Sequence, residues 1–238
     1  MPQNESAPTQ PRAAPIRVSV DFVADIVCPW CYIGKRNLEI AAAQLEREVE
    51  LSFTWRPFQL DTSIPPEGYP RNEYLRAKFG ADKDRLQAMR ANIEQAAHAC
   101  GIELNFDRID RYPNTADLHR IIQWARSGEG QWRASEMLFA AYWLAGADLT
   151  DQVLLVAIAC ELGLEGELVE RLLKSDEGMA ALGQDLQAAK RMGIQGVPAY
   201  IFDGKYLVVG AHPPEHLVNA IQRAARDKVT KTDAPRVV

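Results

Sequence analysis

Apolar and polar residues alternate along the segment from Ile16 to Phe22. A period of two predicts a β-strand with one buried face. From Leu38 to Val49 the apolar residues recur at helical spacing, and alternation returns from Leu51 to Pro57. Strand, helix and strand at this spacing predict a βαβ unit, in which the two strands are parallel and the crossover is right-handed.

The stretch from Pro57 to about Gly178 has helical spacing throughout and contains no convincing strand. Asp82 and Thr115 stand where N-caps of two of these helices are expected. The predicted helices are 82–101, 115–128, 132–145, 150–162 and 166–174. The block therefore predicts a helical insertion whose aromatic residues form its core, and helices layered on a single sheet are the alternative.

A hairpin and two helices are predicted after this block. A helix is expected from Met179 to Met192, and two apolar runs then flank Asp203-Gly204, a two-residue loop typical of a type I′ hairpin. The closing helix begins at Pro213 or Pro214. The chain thus divides into a disordered tail (1–15), a first fold segment (16–57), the helical insertion (58–178), a second fold segment (179–226) and a loose tail (227–238).

The composition narrows the class of protein. Of the 238 residues, 47% are apolar and 25% charged, which is usual for a folded soluble domain. The 27 Lys and Arg against 32 Asp and Glu give a net charge of −5, which argues against nucleic acid as a partner. No apolar run is long enough to cross a membrane. Because residues 1–15 lack the basic start and apolar stretch of a secretory signal, a cytoplasmic location is expected.

Two of the four cysteines lie three residues apart, in Cys28-Pro29-Trp30-Cys31, where the first strand gives way to a helix. The unpaired N–H groups and positive dipole of a helix N-terminus favour a thiolate there, and Pro29 suits the first helical turn. We expect Cys28 to be the more exposed, attacking sulfur and Cys31 to resolve the mixed disulfide. Trp30 offers an apolar surface for substrate, or packs over the helix end.

The other two cysteines and a metal site are weaker candidates. A structural zinc site needs four ligands, and His98 and Cys100 supply no second close pair, so no metal is expected. Cys100 and Cys160 lie on predicted helices, where an unpaired cysteine behaves as a small buried hydrophobe.

Pro198 in Gly196-Val197-Pro198 stands immediately before a predicted strand. Proline is poorly tolerated inside a central strand, so Pro198 is expected at a strand start or in a tight turn, where a cis bond is an option.

These features together resemble the thioredoxin fold, and the helical block resembles the insertion of its DsbA-like branch. Four segments are similar to the FrnE-type subgroup, namely 25–31, 57–60, 114–115 and 196–199. The expected fold class is therefore α/β, a thioredoxin-like fold with an inserted all-helical subdomain.

The resemblance implies a thiol–disulfide oxidoreductase that acts through Cys28 and Cys31 on protein or small-molecule thiols and disulfides. No tightly bound cofactor is implied, and glutathione is a candidate redox partner. Pro198 would be cis and lie against the cysteines, and Val197 would offer backbone groups to an extended substrate. Trp30 would contact substrate as well. A monomer or a homodimer is compatible with the sequence.

Further site residues follow from the same resemblance. Asn114, Thr115 and His119 would line a substrate cleft between the helical block and the cysteine pair. The alternative is a helix N-cap for Thr115 and a surface histidine for His119, and for His119 this alternative is the expectation. Phe22 occupies the position where related enzymes often bury an acidic group, so Asp25 becomes the candidate for proton transfer, or else a carboxylate that caps the helix.

Two other functions remain open. One is a glutathione-dependent isomerase or transferase of the hydroxychromene-carboxylate isomerase or kappa glutathione transferase type, which needs one polar residue at position 28 and no resolving thiol. The other is a partner-binding protein without catalytic activity.

Overall fold

A computed structural model describes residues 14–125 and 128–232. Most of the predicted tail 1–15, and residues 233–238 of the predicted tail 227–238, lie outside these residues. In chain order the elements are β1 (Ile16–Ala24), α1 (Pro29–Gln44), β2 (Val49–Pro57), β3 (Tyr69–Pro70), α2 (Arg71–Phe79), α3 (Lys83–Ala99), a 3-10 turn (Phe106–Arg108), β4 (Arg111–Tyr112), α4 (Ala116–Trp124), α5 (Glu129–Trp143), α6 (Gln152–Glu161), α7 (Gly166–Leu173), α8 (Met179–Arg191), β5 (Ala199–Phe202), β6 (Tyr206–Val209) and α9 (Pro214–Thr232).

The main sheet has the strand order β2-β1-β5-β6. Strands β1 and β2 are parallel, with Ile16 opposite Val49, which confirms the predicted βαβ unit. Strand β5 is antiparallel to both β1 and β6. Asp203 and Gly204 have φ values of 50° and 65°, and two positive values are what a type I′ turn requires. The sheet ends at β6, so the predicted hairpin forms one edge.

Helices α2 to α7 lie in sequence between β2 and α8 and make up most of the predicted insertion. The expectation that this stretch holds no strand is wrong, because β3 and β4 form a two-residue antiparallel pair. The sequence also did not predict α2, which buries no residue and so carries no apolar period. Asp82 caps α3 as predicted, since its carboxylate accepts from the Arg85 N–H at 3.1 Å.

Two predicted boundaries need correction. Val49 does not belong to the preceding helix: α1 ends at Gln44, and Val49 opens β2 beside Ile16. Residues 227–232 are not a loose tail, because α9 continues to Thr232. Lys228 holds this helical end to the rest of the protein through an ion pair with Asp203 at 2.9 Å and a hydrogen bond to the Arg17 carbonyl oxygen.

The insertion and the sheet share one hydrophobic core. Phe22 of β1 contacts Trp55 of β2 and Trp132 of α5, with ring centroids 5.8 and 5.5 Å apart. Tyr32 of α1 stacks on Phe139 of α5 at 5.0 Å. The insertion is thereby fixed to the sheet and to α1, while the segment boundaries at 57/58 and 178/179 stay predictions. Within the described part of the chain, no helix is long and apolar enough to cross a membrane.

Candidate active site

Cys28 occupies the N-cap position of α1, with an extended backbone (φ −93°, ψ 112°). Pro29 opens the helix, and the Cys31 N–H donates to the Cys28 carbonyl oxygen at 3.0 Å. Both cysteines are free thiols. Both are buried, with Cys28 5% exposed and Cys31 fully buried, so Cys28 is the more exposed of the two. The first sulfur therefore lies at the positive end of the helix and the second lies one turn inside.

The loop before β5 lies against this helix. The Val197–Pro198 peptide bond is cis, as expected, and the Cys28 thiol lies 3.9 Å from the Val197 carbonyl oxygen. The Gly210 N–H donates to the Pro198 carbonyl oxygen at 2.7 Å. This bond holds the loop to the residue that directly follows β6. Cys28 and the backbone of Val197 are thus brought together from chain positions far apart.

Trp30 is 36% exposed, although it is a large apolar side chain. Its surface is therefore accessible beside the cysteine pair, which it separates in sequence.

Asp25 is buried, with 1% of its surface exposed, just before the cysteine helix. Its Oδ2 atom accepts from the Leu60 N–H at 2.8 Å. Its Oδ1 atom is buried without a hydrogen-bond partner and lies 3.5 Å from His119 Nε2. The alternative expectation, that Asp25 caps α1, is wrong because its carboxylate bonds the Leu60 loop instead.

His119 is fully buried, so the expectation of a surface histidine is wrong. The Trp55 indole N–H lies 3.2 Å from its Nδ1 atom, and its Nε2 atom lies 3.0 Å from the Phe58 carbonyl oxygen. The signal that could have located it is helical spacing: His119 follows Thr115 by four residues and precedes Ile122 by three, on the face that is buried.

Asn114 and Thr115 make contacts within the protein. The Gln59 amide nitrogen lies 3.4 Å from Asn114 Oδ1 and 3.4 Å from Thr115 Oγ1. The Asn114 side-chain amide donates to the Ile64 carbonyl oxygen, and its Oδ1 atom accepts from the Ala116 N–H at 2.9 Å. Thr115 holds the N-cap position of α4, but its hydroxyl makes no capping bond. Both residues brace the loop that follows β2.

Burial dominates the electrostatics around the second sulfur. It raises the pKa of the Cys31 thiol well above its usual value, and the neighbouring Cys28 raises it further. A hydrogen bond from the Asp25 backbone opposes these effects, while the Asp25 charge adds to them. Burial, and then the charge of Asp25, likewise raises the pKa of Tyr112. Cys31 therefore stays a thiol until a neighbouring group accepts its proton.

The remaining cysteines lie outside this cluster. Cys100 is buried as expected, and its thiol donates to the Ala97 carbonyl oxygen at 3.2 Å. Cys160 is exposed, which corrects the expectation of a core residue. Helix α6 is apolar on nearly every side, so spacing alone did not identify its buried face. Among residues 14–125 and 128–232, no three potential ligands of the His, Cys, Asp or Glu type gather as a metal site.

A family model described as a DSBA-like thioredoxin domain matches residues 19–222. A probable DsbA oxidoreductase from Streptomyces coelicolor is 29% identical, with a TM-score of 0.77, and the match covers 93% of each chain.

Two more distant structures share the fold. One is a 2-hydroxychromene-2-carboxylate isomerase, 18% identical with a TM-score of 0.69, matched over 90% of this chain and 98% of the other. The second is the cytosolic disulfide reductase DsbM from Pseudomonas aeruginosa with GSH, 15% identical with a TM-score of 0.54, matched over 91% of this chain and 100% of the other.

Proposed function

Because the chain belongs to the DSBA-like thioredoxin domain family, we propose that it is a thiol–disulfide oxidoreductase that uses Cys28 and Cys31 as its redox dithiol. The observation that carries this proposal is the placement of the two thiols: one at the N-cap of α1 beside the Val197 carbonyl, the other buried one turn further on. A sulfur at a helix N-terminus is stabilised as a thiolate, which is the attacking form. Membership of the FrnE-type subgroup stays a prediction.

The proposed exchange proceeds in two steps. The Cys28 thiolate attacks a substrate disulfide, forming a mixed disulfide and releasing one substrate sulfur as a thiolate that takes a proton from solvent. The Cys31 thiol then loses its proton, attacks Cys28 Sγ and releases the second substrate sulfur. The substrate gains two electrons and the dithiol loses two, and every step is reversible. Asp25 is the group we assign to accept the Cys31 proton, because its carboxylate is buried in the turn that leads into the cysteine helix, where its carbonyl accepts from the Cys28 N–H, and one carboxylate oxygen has no hydrogen-bond partner.

The contacts of the substrate follow from the loop and the exposed indole. We assign the Val197 backbone, next to Pro198, to pair with an extended segment that carries the sulfur. Trp30 supplies an apolar contact beside it, supported by its exposure. We assign Asn114 and Thr115, which contact the loop after β2, to the lining of the substrate cleft.

Glutathione and a cytoplasmic location belong to the same proposal. DsbM, which shares this fold, is named as a cytosolic disulfide reductase and its structure is described with GSH. The extended backbone of glutathione fits pairing with Val197, so glutathione is the redox partner we propose, alongside protein thiols and disulfides. The sequence leaves both a monomer and a homodimer as predictions.

The test compares cysteine variants in the reduction of a model disulfide and in oxidative refolding. Cys28→Ser is expected to abolish both activities, and Cys31→Ala to stop each reaction at a mixed disulfide on Cys28. Cys160→Ser is the matched control, because this free cysteine is exposed and lies outside the pair, so its activity should equal the parent's. Full activity in Cys28→Ser would overturn the proposal.

An isomerase acting with glutathione is the second candidate, favoured by the shared fold with the hydroxychromene-carboxylate isomerase. The retained Cys31 argues against it, since a resolving thiol would expel bound glutathione by closing the internal disulfide. The same Cys31→Ala variant separates the two: an isomerase would keep its turnover on a small substrate, whereas a dithiol oxidoreductase would lose it.

A further inference from the structure

Two side chains, Trp55 of β2 and His119 of α4, form a chain of contacts that reaches Asp25 in the turn between β1 and the cysteine helix α1. Trp55 of β2 donates its indole N–H to His119 Nδ1 at 3.2 Å. This bond leaves the proton of the neutral imidazole on Nε2, which can only donate. Nε2 in turn lies 3.0 Å from the Phe58 carbonyl oxygen and 3.5 Å from Asp25 Oδ1. The His119 Nε2 atom is therefore hydrogen-bonded to the Phe58 carbonyl oxygen and at the same time lies close to the buried carboxylate.

One oxygen of the Asp25 carboxylate lacks a hydrogen-bond donor. Asp25 Oδ1 is buried with no hydrogen-bond partner, whereas Oδ2 is held by the Leu60 N–H. A buried carboxylate oxygen without a donor is costly. Oδ1 is therefore the atom on which a proton can settle, and His119 Nε2 is the nearby donor able to stabilise that oxygen once the proton has left.

We propose that His119 is a positioning residue for proton transfer: its Nε2–H holds the Asp25 carboxylate oriented to receive the proton of the Cys31 thiol. This role rests on the proposed dithiol function. When Oδ1 is charged, the Nε2–H turns from the Phe58 carbonyl toward it. When Oδ1 carries the proton, the Nε2–H returns to Phe58.

Asp25 takes the proton from Cys31 Sγ, and the resulting thiolate attacks Cys28 Sγ of the mixed disulfide. The Cys28–Cys31 bond forms, the bond from Cys28 to the substrate breaks, and the substrate leaves as a thiolate that is protonated by solvent. The Asp25 proton then passes to solvent. Because the charged carboxylate disfavours a Cys31 thiolate, moving the proton onto Asp25 also removes that repulsion.

The charge of Asp25 raises the pKa of Tyr112 of β4 and of Tyr142 of α5 as well as that of Cys31, and neither phenol competes for this role. Both phenols have a pKa raised by burial, so they keep their protons at neutral pH and carry no charge. His119 is thus the imidazole in contact with the carboxylate.

The experiment follows the resolving step directly. The reduced full-length protein is mixed with oxidised glutathione, the reaction is quenched with acid, and mass spectrometry counts the glutathionyl-Cys28 form against the internal disulfide. His119→Leu removes the donor, His119→Gln keeps a side-chain N–H near the position of Nε2, and His216→Gln on α9 is an exposed control. Each of the two His119 changes is also made in an Asp25→Asn background.

We expect His119→Leu to slow resolution about tenfold, a part of the 10²–10⁴-fold typical of positioned proton transfer. His119→Gln should restore most of the rate, and His216→Gln should match the parent. In the Asp25→Asn background His119→Leu should have no further effect, since two residues that act through one another are not additive. Equal slowing in both backgrounds, failure of Gln to restore the rate, or a parental rate in His119→Leu would overturn the proposal.

A second variant keeps the proposal testable if the first one fails to fold. If His119→Leu does not fold, Trp55→Phe keeps an aromatic ring and removes the indole N–H that fixes the imidazole proton, together with part of the buried ring volume. It is expected to slow resolution in the parent and not in Asp25→Asn, and a parental rate would count against the proposal. A failure of the proposed dithiol function gives a different result. The parent would then form no glutathionyl-Cys28, or Cys28→Ser would exchange as fast as the parent.

Discussion

Gly34 of the cysteine helix faces the ring of Pro198 with no room for a side chain between them. A Cβ atom at Gly34 would lie 2.8 Å from Pro198 Cγ and would also meet the Tyr200 hydroxyl. Real Cβ atoms do not approach other heavy atoms so closely. The missing side chain therefore sets how near the loop of Val197 comes to Cys28.

The change Gly34→Ala is expected to destabilise the protein, because the new methyl group overpacks the contact with Pro198 and Tyr200. The loss of unfolding free energy should be about 1–3 kcal/mol, as for other overpacked cores. Urea unfolding at neutral pH measures it. Displacement of the Val197 loop should also slow attack by Cys28 on oxidised glutathione.

Gly183→Ala is the matched control, since Gly183 lies inside α8 and a Cβ there would meet nothing within 4 Å. Alanine in an open helical position should raise stability by about 0.5–1 kcal/mol. Equal stability of the Gly34→Ala protein and the parent would contradict the close approach.

Trp30 should matter for large substrates and not for small ones. Its indole is 36% exposed beside Cys28, so Trp30→Ala should leave the fold intact. We expect KM for a disulfide-bonded peptide with apolar residues to rise about tenfold, the loss of about 1.4 kcal/mol of binding. The rate with oxidised glutathione should change little. Steady-state kinetics with both substrates test this, and equal losses for the two would refute an apolar docking role.

Lys35 is a buried cation held by two carboxylates. Only 1% of its side chain is exposed, and its ammonium lies 2.6 Å from Glu39 Oε1 and 2.7 Å from Glu136 Oε2. The same ammonium lies 4.5 Å from the centre of the Trp132 ring. This cluster joins α1, which carries the cysteines, to α5 of the insertion.

The change Lys35→Met is expected to destabilise the protein, because it removes the buried one of the two cations, Lys35 and Arg36, that Glu39 and Glu136 share. We expect a loss of about 1–3 kcal/mol, below the range for one partner removed from a fully buried pair, because Arg36 still pairs with both carboxylates. Lys174→Met is the matched control: its pair with Glu170 is exposed on both sides and should cost less than about 1 kcal/mol. Urea unfolding measures the loss of unfolding free energy in both variants. Similar losses in the two would count against a buried cluster at Lys35.

Local patterns were sufficient to predict much of the fold. The alternation from Ile16 and again from Leu51 predicted two parallel strands, and Asp203-Gly204 predicted the hairpin, because each signal is contained within a few neighbouring residues. The cysteine motif likewise lies at the strand-to-helix junction where its spacing indicated.

What the sequence did not predict depends on residues far apart in the chain. The strand pair at Tyr69 and Tyr112 joins positions that no local period connects. His119 and Asp25 meet only because the tertiary fold brings α4 next to the turn that follows β1. A histidine on a helix is exposed or buried according to that tertiary contact, and the residue type alone favoured exposure.

The unfolding free energy should fall at alkaline pH. Burial raises the pKa of Tyr112 and Tyr142 above the ordinary value of 10.0. In the unfolded chain these phenols lose their protons near pH 10, whereas in the folded protein they keep them. The folded state therefore binds more protons above that pH, and stability that is fully present below pH 10 is lost as the pH rises, by up to about 1.4 kcal/mol per unit and group. Urea unfolding from pH 7 to 11, with tyrosinate absorbance, measures the fall. Tyr112→Phe should make it shallower, and an unchanged slope would contradict a buried phenol at this position.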